Sequence, residues 1–444
     1  MEKDKTELLY YLKKRLLEKD ASDIVIALRN AKKTQIKFVN NQVATTKTWD
    51  AANISIFLNY KKRIVATTLQ DFTKSAADSA VSNLIKFAQA TKPNEEFMGI
   101  AKGPFKYKEI EKTYDKKIAE LGEDSIDYVE RGINAALSVG AKRTNGVLEF
   151  IDNSEHLVSS EEVDVEDEGT ALYFSIRAHC EKDSSGYSNQ IFTQLSDFDP
   201  EEAGKEAGTT AKQAMNPEKL KPGKFDVIFS PYPFANFIDH LDSASIYYVE
   251  AGYSFLTNML NKQVASPAVT IYDDGTFPGG LGSSKFDDEG HPTQKTLLID
   301  KGILKTYLHN ESTARKYKTK TTGNAGLICP SPNNFVVESG KEKEKQMFAD
   351  FSGLHITNLW YTRFQNYTTG DFSTIPRDGI FLYKNGEVVK SIKDIRVTEN
   401  MLNLLKNIAK VSKERRQQCG WEVSAPVITG SALVKDVNIT TSTE

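Results

Sequence analysis

A proline- and glycine-rich junction divides the 444-residue sequence into two parts with different hydrophobic patterns. The junction contains Asn216-Pro217 and Lys221-Pro222-Gly223, and residue pairs of this kind interrupt helices and strands. At roughly 150 residues per domain, a chain of this length is expected to form two or three domains. We therefore predict one domain over residues 1–218 and a second over residues 222–444.

The first part begins with the order helix, strands, helix. Leucines recur at three- and four-residue spacing from Leu8 to Leu17, which places them on one face of a helix. Strand-like segments rich in β-branched residues follow, separated by turn-forming pairs. The segments are residues 24–28, 36–38, 54–58 and 64–66, and the turn pairs are Asn30-Ala31, Asn40-Asn41 and Asn59-Tyr60. A second amphipathic helix over residues 76–88 ends this series.

A similar order returns downstream. A helix is expected over residues 126–137, strands around residues 147–151 and 172–176, and an alanine-rich helix over residues 203–215. The first domain is therefore predicted to be an α/β domain built from two similar helix-strand-helix halves, residues 1–110 and 111–218, although the halves share no residue-level repeat.

The second part is richer in strands. After one helix, expected over residues 234–261, short strands and glycine-rich turns dominate. A helix near residues 399–411 and a terminal strand over residues 425–428 are expected at its end. The whole chain is thus predicted to be an α+β protein whose C-terminal domain has mixed or antiparallel sheets and few helices.

The composition argues against several classes of partner. The 57 basic and 60 acidic side chains nearly balance, so no basic surface for nucleic acid is expected. No apolar run approaches the roughly 18 residues of a membrane span, and the polar N-terminus does not resemble a secretory signal. We expect a cytoplasmic protein. Its 3 cysteines are far apart, which favours neither a disulfide framework nor a zinc knuckle.

Candidate metal ligands are sparse. All 6 histidines are isolated, and none belongs to a pattern that places two ligands one helical turn apart. Asp239-His240-Leu241-Asp242 comes closest, but this spacing spreads the carboxylates over different helix faces, so we expect a helix-surface histidine with hydrogen-bonded neighbours. The acidic stretch at residues 161–168 is interpreted as a solvated hairpin or loop.

The densest group of unusual residues lies between positions 273 and 284. It contains Asp273, Asp274, Gly275, Gly279, Gly280 and Gly282. A phosphate-binding loop would end in Gly-Lys-Ser/Thr and enter a helix, whereas this segment leads toward a strand near Thr296. We expect an ordered loop in which the glycines permit positive φ or close backbone approach and the aspartates cap turns. These six residues are also our candidates for a cavity wall or an interface.

Ordered motifs in the second part resemble the C-terminal signature of the TldD/PmbA (TldE) family, whose members are called modulators of DNA gyrase or peptide-maturation proteases. The motifs lie at residues 269–275, 278–282, 286–290, 293–299, 302–305, 313–316 and 322–325, and continue at residues 367–373, 384–387 and 400–408. The resemblance covers about 200 residues. The N-terminal half agrees with the family in length and element order.

The resemblance implies a position within that family. TldD-type members carry His-Glu-x-x-x-His on the helix before the Asp-Asp-Gly segment and a cysteine ligand near the C-terminus. Between residues 230 and 264 this chain has only His240, so it is more similar to the PmbA/TldE branch, whose members are implied to lack metal. The resemblance places Cys419 in the region of that cysteine ligand, but one thiolate cannot supply the three protein ligands of a catalytic zinc.

The resemblance therefore implies a non-catalytic subunit that joins a TldD-like, zinc-containing partner to degrade or mature unfolded, extended peptides. No cofactor is expected in this chain, and a homodimer is possible when it is isolated. Two alternatives stay open. One is an autonomous peptidase or other hydrolase acting as a homodimer, with Cys419 and a histidine. The other is a regulatory protein-binding module of the gyrase-modulator type.

Overall fold

The computed structural model describes residues 2–122 and 125–441, which form one sheet in the N-terminal part and two in the C-terminal part. The predicted α+β fold and the strand-rich second part are confirmed. No helix in the described ranges is both long and apolar enough to cross a lipid bilayer.

The N-terminal sheet has six antiparallel strands in the order β3-β2-β1-β4-β5-β6. They are β1 (Ser22–Val39), β2 (Gln42–Tyr60), β3 (Arg63–Leu69), β4 (Arg143–Ser159), β5 (Asp164–Glu181) and β6 (Ser184–Phe192). The two expected halves share this one sheet, because β1 pairs with β4 along most of its length. The turn predicted at Asn30-Ala31 was wrong. Both residues lie inside β1 and pair with strands on either side, which stabilise an extended backbone there.

The five α-helices described in this part pack against one face of the sheet. They are α1 (Glu2–Leu17), α2 (Lys74–Ala90), α3 (Lys116–Ala119), α4 (Ile126–Ser138) and α5 (Pro200–Gln213). Side chains alternate between the faces of a strand, so Ile26 packs beneath α1 and α2 while Val25 packs on the opposite face with Phe97 and Phe286. The helix-free face of the sheet therefore meets the C-terminal part.

Helices α4 and α5 approach each other through glycines. A Cβ atom added to Gly204 would lie 2.1 Å from the carbonyl oxygen of Gly132, and one added to Gly208 would lie 2.7 Å from the carbonyl oxygen of Ala136. Only residues without a Cβ permit this separation. The sequence at these positions therefore sets how closely the two helices pack.

The C-terminal part contains 14 strands and five helices within the described residues. The strands are β7 (Glu218–Lys219), β8 (Gly223–Phe229), β9 (Ile271–Asp274), β10 (Lys295–Asp300), β11 (Ile303–Leu304), β12 (Phe335–Val337), β13 (Gly353–Asn366), β14 (Asp371–Lys384), β15 (Glu387–Lys393), β16 (Ile395–Asn400), β17 (Ile408–Val411), β18 (Arg416–Gly420), β19 (Val423–Thr429) and β20 (Ala432–Thr441). The helices are α6 (Pro231–Asp239), α7 (Ile246–Glu250), α8 (Glu311–Lys316), α9 (Glu344–Met347) and α10 (Met401–Lys406).

Five of these strands close into a ring. β13 pairs with β8 in parallel and with β14 in antiparallel orientation, while β20 joins β8 to β16 and β16 joins β14. A second sheet has the order β11-β10-β9-β12-β19-β18. One hydrophobic core fills the space between them, with Phe229, Phe237, Phe335 and Phe372 fully buried.

The single helix expected over residues 234–261 was wrong. α6 ends at Asp239, a 3-10 turn covers His240–Ala244, and α7 covers only Ile246–Glu250. Ser245 separates them with φ −57° and ψ 123°, and its backbone forms a bridge with Leu308. Tertiary pairing thus interrupts the helix. Near the C-terminus, α10 is shorter than expected, and β20 follows the strand that was expected to be terminal.

A buried ion pair connects the two parts. Asp378 on β14 is fully buried and accepts hydrogen bonds from Arg177 on β5, at 2.8 and 3.1 Å. It also accepts from Ser185 at 2.6 Å and from Asn358 at 2.7 Å. A single carboxylate therefore binds groups from both the N-terminal sheet and the barrel formed by β8, β13, β14, β16 and β20.

Candidate functional site

A cleft opens where α6 ends. Its volume is 510 Å³, and it is lined by the end of α6 and the segment that follows it, by the end of β13 and the turn after it, and by β19. The lining residues are Asp239, His240, Asp242, Ser243, Tyr247, Tyr248, Ala251, Tyr253, Phe364, Tyr367 and Ser424. We call this depression the α6 cleft.

Asp239 is held by backbone groups of β19. Its carboxylate accepts hydrogen bonds from the amide nitrogens of Ser424 at 2.9 Å and Ala425 at 2.8 Å. Burial raises the pKa of Asp239 to about 6, although these two amides favour the charged form. The carboxylate thus already serves to fix β19 against α6.

His240 forms part of the wall. Its ring packs edge-on against Phe364, with ring centroids 4.8 Å apart, and its Nε2 is shielded from solvent without a hydrogen-bond partner. Burial, with a smaller contribution from Arg363, lowers the pKa of His240 to about 4, so the ring is neutral at pH 7.

The sequence interpretation of this segment was correct only in part. Asp239 has the expected hydrogen-bonded environment, but Asp239 and Asp242 do not diverge onto separate helix faces. Because α6 ends at Asp239 and a tighter turn follows, both carboxylates and His240 line one cleft rather than a helix surface.

Cys419 lies on β18 beside this region. Its Sγ is 3.8 Å from the carbonyl oxygen of Ser424, and burial, with the nearby Asp239 charge, raises the pKa of the thiol to about 11. The thiol is therefore protonated at pH 7. Within residues 2–122 and 125–441, no three His, Cys, Asp or Glu side chains are arranged so that they could hold a metal ion.

The aromatic walls of the α6 cleft were not anticipated. Tyr247, Tyr248 and Tyr253 are close in sequence to Asp242 and could have been noticed as a tyrosine-rich segment. Phe364 and Tyr367 reach the cleft only because β13 packs beside α6, which no local pattern indicates.

The glycine-rich loop at residues 273–284 lies elsewhere. Asp273 is fully buried and accepts hydrogen bonds from Asn324 Nδ2 at 2.6 Å and Asn333 N at 2.8 Å. Burial raises its pKa to about 7. Asp274 caps a turn as expected, since its Oδ1 accepts from the amide of Thr276 at 3.0 Å. Asp273 instead connects β9 to two distant segments.

The glycines of this loop mainly permit close approach. Of the four, only Gly279 has a positive φ, at 69°. A Cβ on Gly275 would lie 2.6 Å from Thr293 Cβ, one on Gly280 would lie 2.5 Å from a hydroxyl, and one on Gly282 would lie 2.2 Å from a backbone carbonyl. Loop packing therefore requires these glycines.

The loop also faces the N-terminal sheet. Gly280 and Gly282 line a cleft of 230 Å³ together with Asp167 and Glu168 of β5. Asp167 accepts hydrogen bonds from Ser284 Oγ at 3.0 Å and from the amide of residue 285 at 2.8 Å. The acidic stretch at residues 161–168 thus belongs to the β4–β5 hairpin, as expected, but Asp167 contacts this loop and is not freely solvated.

Two buried carboxyl groups follow the loop. Asp287 accepts from the amides of Ala325, Glu289 and His291, whereas Glu289 accepts from the amide of Ala101. Burial raises the pKa of Asp287 to about 7 and raises the pKa of Glu289 well above its usual value, with a further contribution from the Asp287 charge. Glu289 is thus the carboxyl that keeps its proton.

We expect Glu289→Gln to reduce the loss of stability that accompanies a rise in pH above about 4.3. The folded protein retains a proton on Glu289 that the unfolded chain releases near pH 4.3, so stability falls as pH rises toward the folded-state pKa, by up to about 1.4 kcal/mol per pH unit. Glutamine cannot ionise and keeps the acceptor for Ala101. Urea unfolding at about pH 6 and pH 9 measures the effect, and an equal decrease in both proteins would contradict it.

Comparison with known proteins agrees with the motifs. The profile of the PmbA/TldA metallopeptidase C-terminal domain matches residues 222–441, and that of the central domain matches residues 111–215. An uncharacterised protein of Methanocaldococcus jannaschii is 30% identical over 64% of this chain and 69% of its own length. The metalloprotease TldD homolog of Buchnera aphidicola subsp. Acyrthosiphon pisum is 33% identical over 43% of this chain, and the alignment spans only 41% of that relative.

A solved structure extends the similarity to nearly the whole chain. TldE from Thermococcus kodakarensis superposes with a TM-score of 0.86 over 98% of this chain and 100% of that chain. The sequence identity is 22%, so this match establishes a shared fold.

Proposed function

This chain belongs to the PmbA/TldD metallopeptidase family, and from that membership we propose that it is a non-catalytic, PmbA/TldE-like subunit of a TldD-type zinc metalloprotease. The partner subunit would carry the zinc and perform peptide hydrolysis. The assembly would degrade or mature unfolded peptides in the cytoplasm.

The observation that supports this proposal is that the Asp239 carboxylate is hydrogen-bonded within the protein. At the end of the helix where TldD-type members carry metal ligands, this chain places a carboxylate that binds two amides of β19. His240 is packed against Phe364, and Cys419 is a protonated thiol. The available side chains at this position therefore serve packing and hydrogen bonding.

Extended peptides are the substrate class that suits such a subunit. Strand edges bind an extended chain through main-chain hydrogen bonds, which require little sequence selectivity. The β2 segment before residue 54 has no partner on its outer side among the described strands, because β3 pairs only with residues 54–60. A folded protein can pair with such an edge only through an exposed edge strand of its own, whereas most of the main chain of an extended peptide is free to do so.

We expect the purified chain to form a stable complex with a TldD-type partner and to raise the peptide turnover of that partner from near background. Size-exclusion chromatography with light scattering measures the complex, and a fluorogenic unfolded peptide measures turnover. The isolated chain is expected to cleave nothing. The matched control is a partner whose His-Glu-x-x-x-His glutamate is replaced by glutamine, which should form the complex without turnover.

Each alternative function predicts a different result. Cleavage by the isolated chain with stoichiometric zinc would support the autonomous homodimeric hydrolase and contradict the proposed role. Binding to another protein without any effect on peptide turnover would instead support the regulatory module.

A further inference from the structure

Exposed aromatic rings converge on the α6 cleft. Tyr247, Tyr253 and Tyr367 are 48%, 64% and 53% exposed. Phe364 and Tyr367 stack with centroids 5.0 Å apart, and Tyr247 and Tyr248 meet edge-on at 5.9 Å. Single exposed apolar residues are common on protein surfaces, but several around one depression indicate a binding site.

The charged groups of the cleft are acidic. Asp239 and Asp242 both line it, and neither lysine nor arginine occurs among its described lining residues. His240 is neutral, and its shielded Nε2 lacks a hydrogen-bond partner. Arg363 lies near His240, but its guanidinium stacks on Tyr361 at 5.0 Å and pairs with Glu422 at 3.4 Å. The cleft therefore combines negative charge with aromatic faces.

This combination selects the charge of a ligand. An aromatic ring presents a negative face, which attracts cations within about 6 Å of its centroid. An anion would be repelled by both carboxylates. A purely apolar group would cover the Asp242 carboxylate without giving it a new partner, which is unfavourable. The volume of 510 Å³ is sufficient for a long side chain.

We propose that the α6 cleft binds a cationic side chain, arginine or lysine, of an extended peptide, through the tyrosine rings and the carboxylate of Asp242. This inference rests on the proposed function, because it assigns a substrate preference to a subunit of a peptide-processing assembly. The cleft then selects peptides, while hydrolysis takes place in the partner subunit.

A matched pair of peptides tests the charge requirement. One is an acetylated, fluorescent Gly/Ser peptide with a central arginine, and the other carries citrulline, which has the same shape without the charge. Fluorescence anisotropy with the full chain is expected to show at least about tenfold tighter binding of the arginine peptide. Equal affinities, or no measurable binding of either peptide, would overturn the inference.

Substitutions of cleft residues test whether the preference for the arginine peptide arises in the α6 cleft. Asp242→Asn and Tyr253→Ala are each expected to weaken arginine-peptide binding about fivefold or more without affecting the citrulline peptide. The matched controls are Asp350→Asn and Phe87→Ala, which remove an exposed carboxylate and an exposed ring outside the cleft. An unchanged arginine preference in both cleft variants would refute the assigned position.

A citrulline peptide with a free N-terminus tests the other source of positive charge. If this peptide binds more weakly than the arginine peptide, the result supports a site for a side chain. If the two peptides bind equally tightly, the cleft is a site for a terminal amine and the inference is refuted. Formation of the complex with the TldD-type partner is measured separately. A stable, active complex without a preference for the arginine peptide would overturn only this inference. Absence of the complex would overturn the proposed function.

Discussion

Replacing Asp378 with asparagine is expected to lower the free energy of unfolding by about 3–5 kcal/mol. The substitution keeps the side-chain shape, and asparagine tolerates the positive φ of 57° at this position. It leaves the guanidinium of Arg177, whose side chain is only 19% exposed, without its buried counter-charge. Breaking a buried ion pair on one side costs far more than removing an exposed one.

Urea unfolding, combined with limited proteolysis near the junction at residues 214–223, measures this effect, since the lost ion pair joins the two parts of the chain. Glu342→Ala is the matched control, because Glu342 pairs with Lys410 at the surface, where both side chains are more than 40% exposed. We expect that control to change stability by about 0.5 kcal/mol or less. An equally small effect of Asp378→Asn would contradict the proposed importance of the pair.

Gly204→Ala is expected to destabilise the protein by about 3 kcal/mol, even though alanine is the better helix former by about 1 kcal/mol. The new Cβ would lie 2.1 Å from the carbonyl oxygen of Gly132, so α4 and α5 must move apart. Because α5 also packs against β5 and β6, the displacement disturbs the buried core.

Thermal unfolding followed by circular dichroism measures this change. Gly122→Ala is the control, because a Cβ at Gly122 meets no atom within 4 Å. If Gly204→Ala were as stable as the original protein, the glycine contact would not determine the helix separation.

Local periodicity was sufficient to predict most helices of the N-terminal part. The three- and four-residue spacing of leucines in α1, and of alanine, valine and leucine in α2, follows directly from burial of one helix face. Reasoning from local turn preference failed at Asn30-Ala31, because pairing with two neighbouring strands outweighs the turn preference of asparagine.

The candidate site could be predicted only in fragments. The aspartates and histidine at residues 239–242 are visible in the sequence, but their convergence depends on a helix that ends at Asp239 and on the 3-10 turn that follows it. Phe364 and Ser424 join the cleft from distant strands. Side chains brought together by tertiary packing leave no periodic signal in the sequence.

The strand order of the barrel has a consequence for synthesis on the ribosome. All six strands of the N-terminal sheet are complete once residue 192 has emerged, so this sheet can assemble on the nascent chain. β8 follows soon afterwards, but Gly223 pairs with Ile439, almost at the end of the described chain. The edge of β8 that pairs with β20 must therefore stay unpaired, open to chaperones and to other unfinished chains, until residue 439 has been synthesised, whereas its other edge can pair earlier with β13.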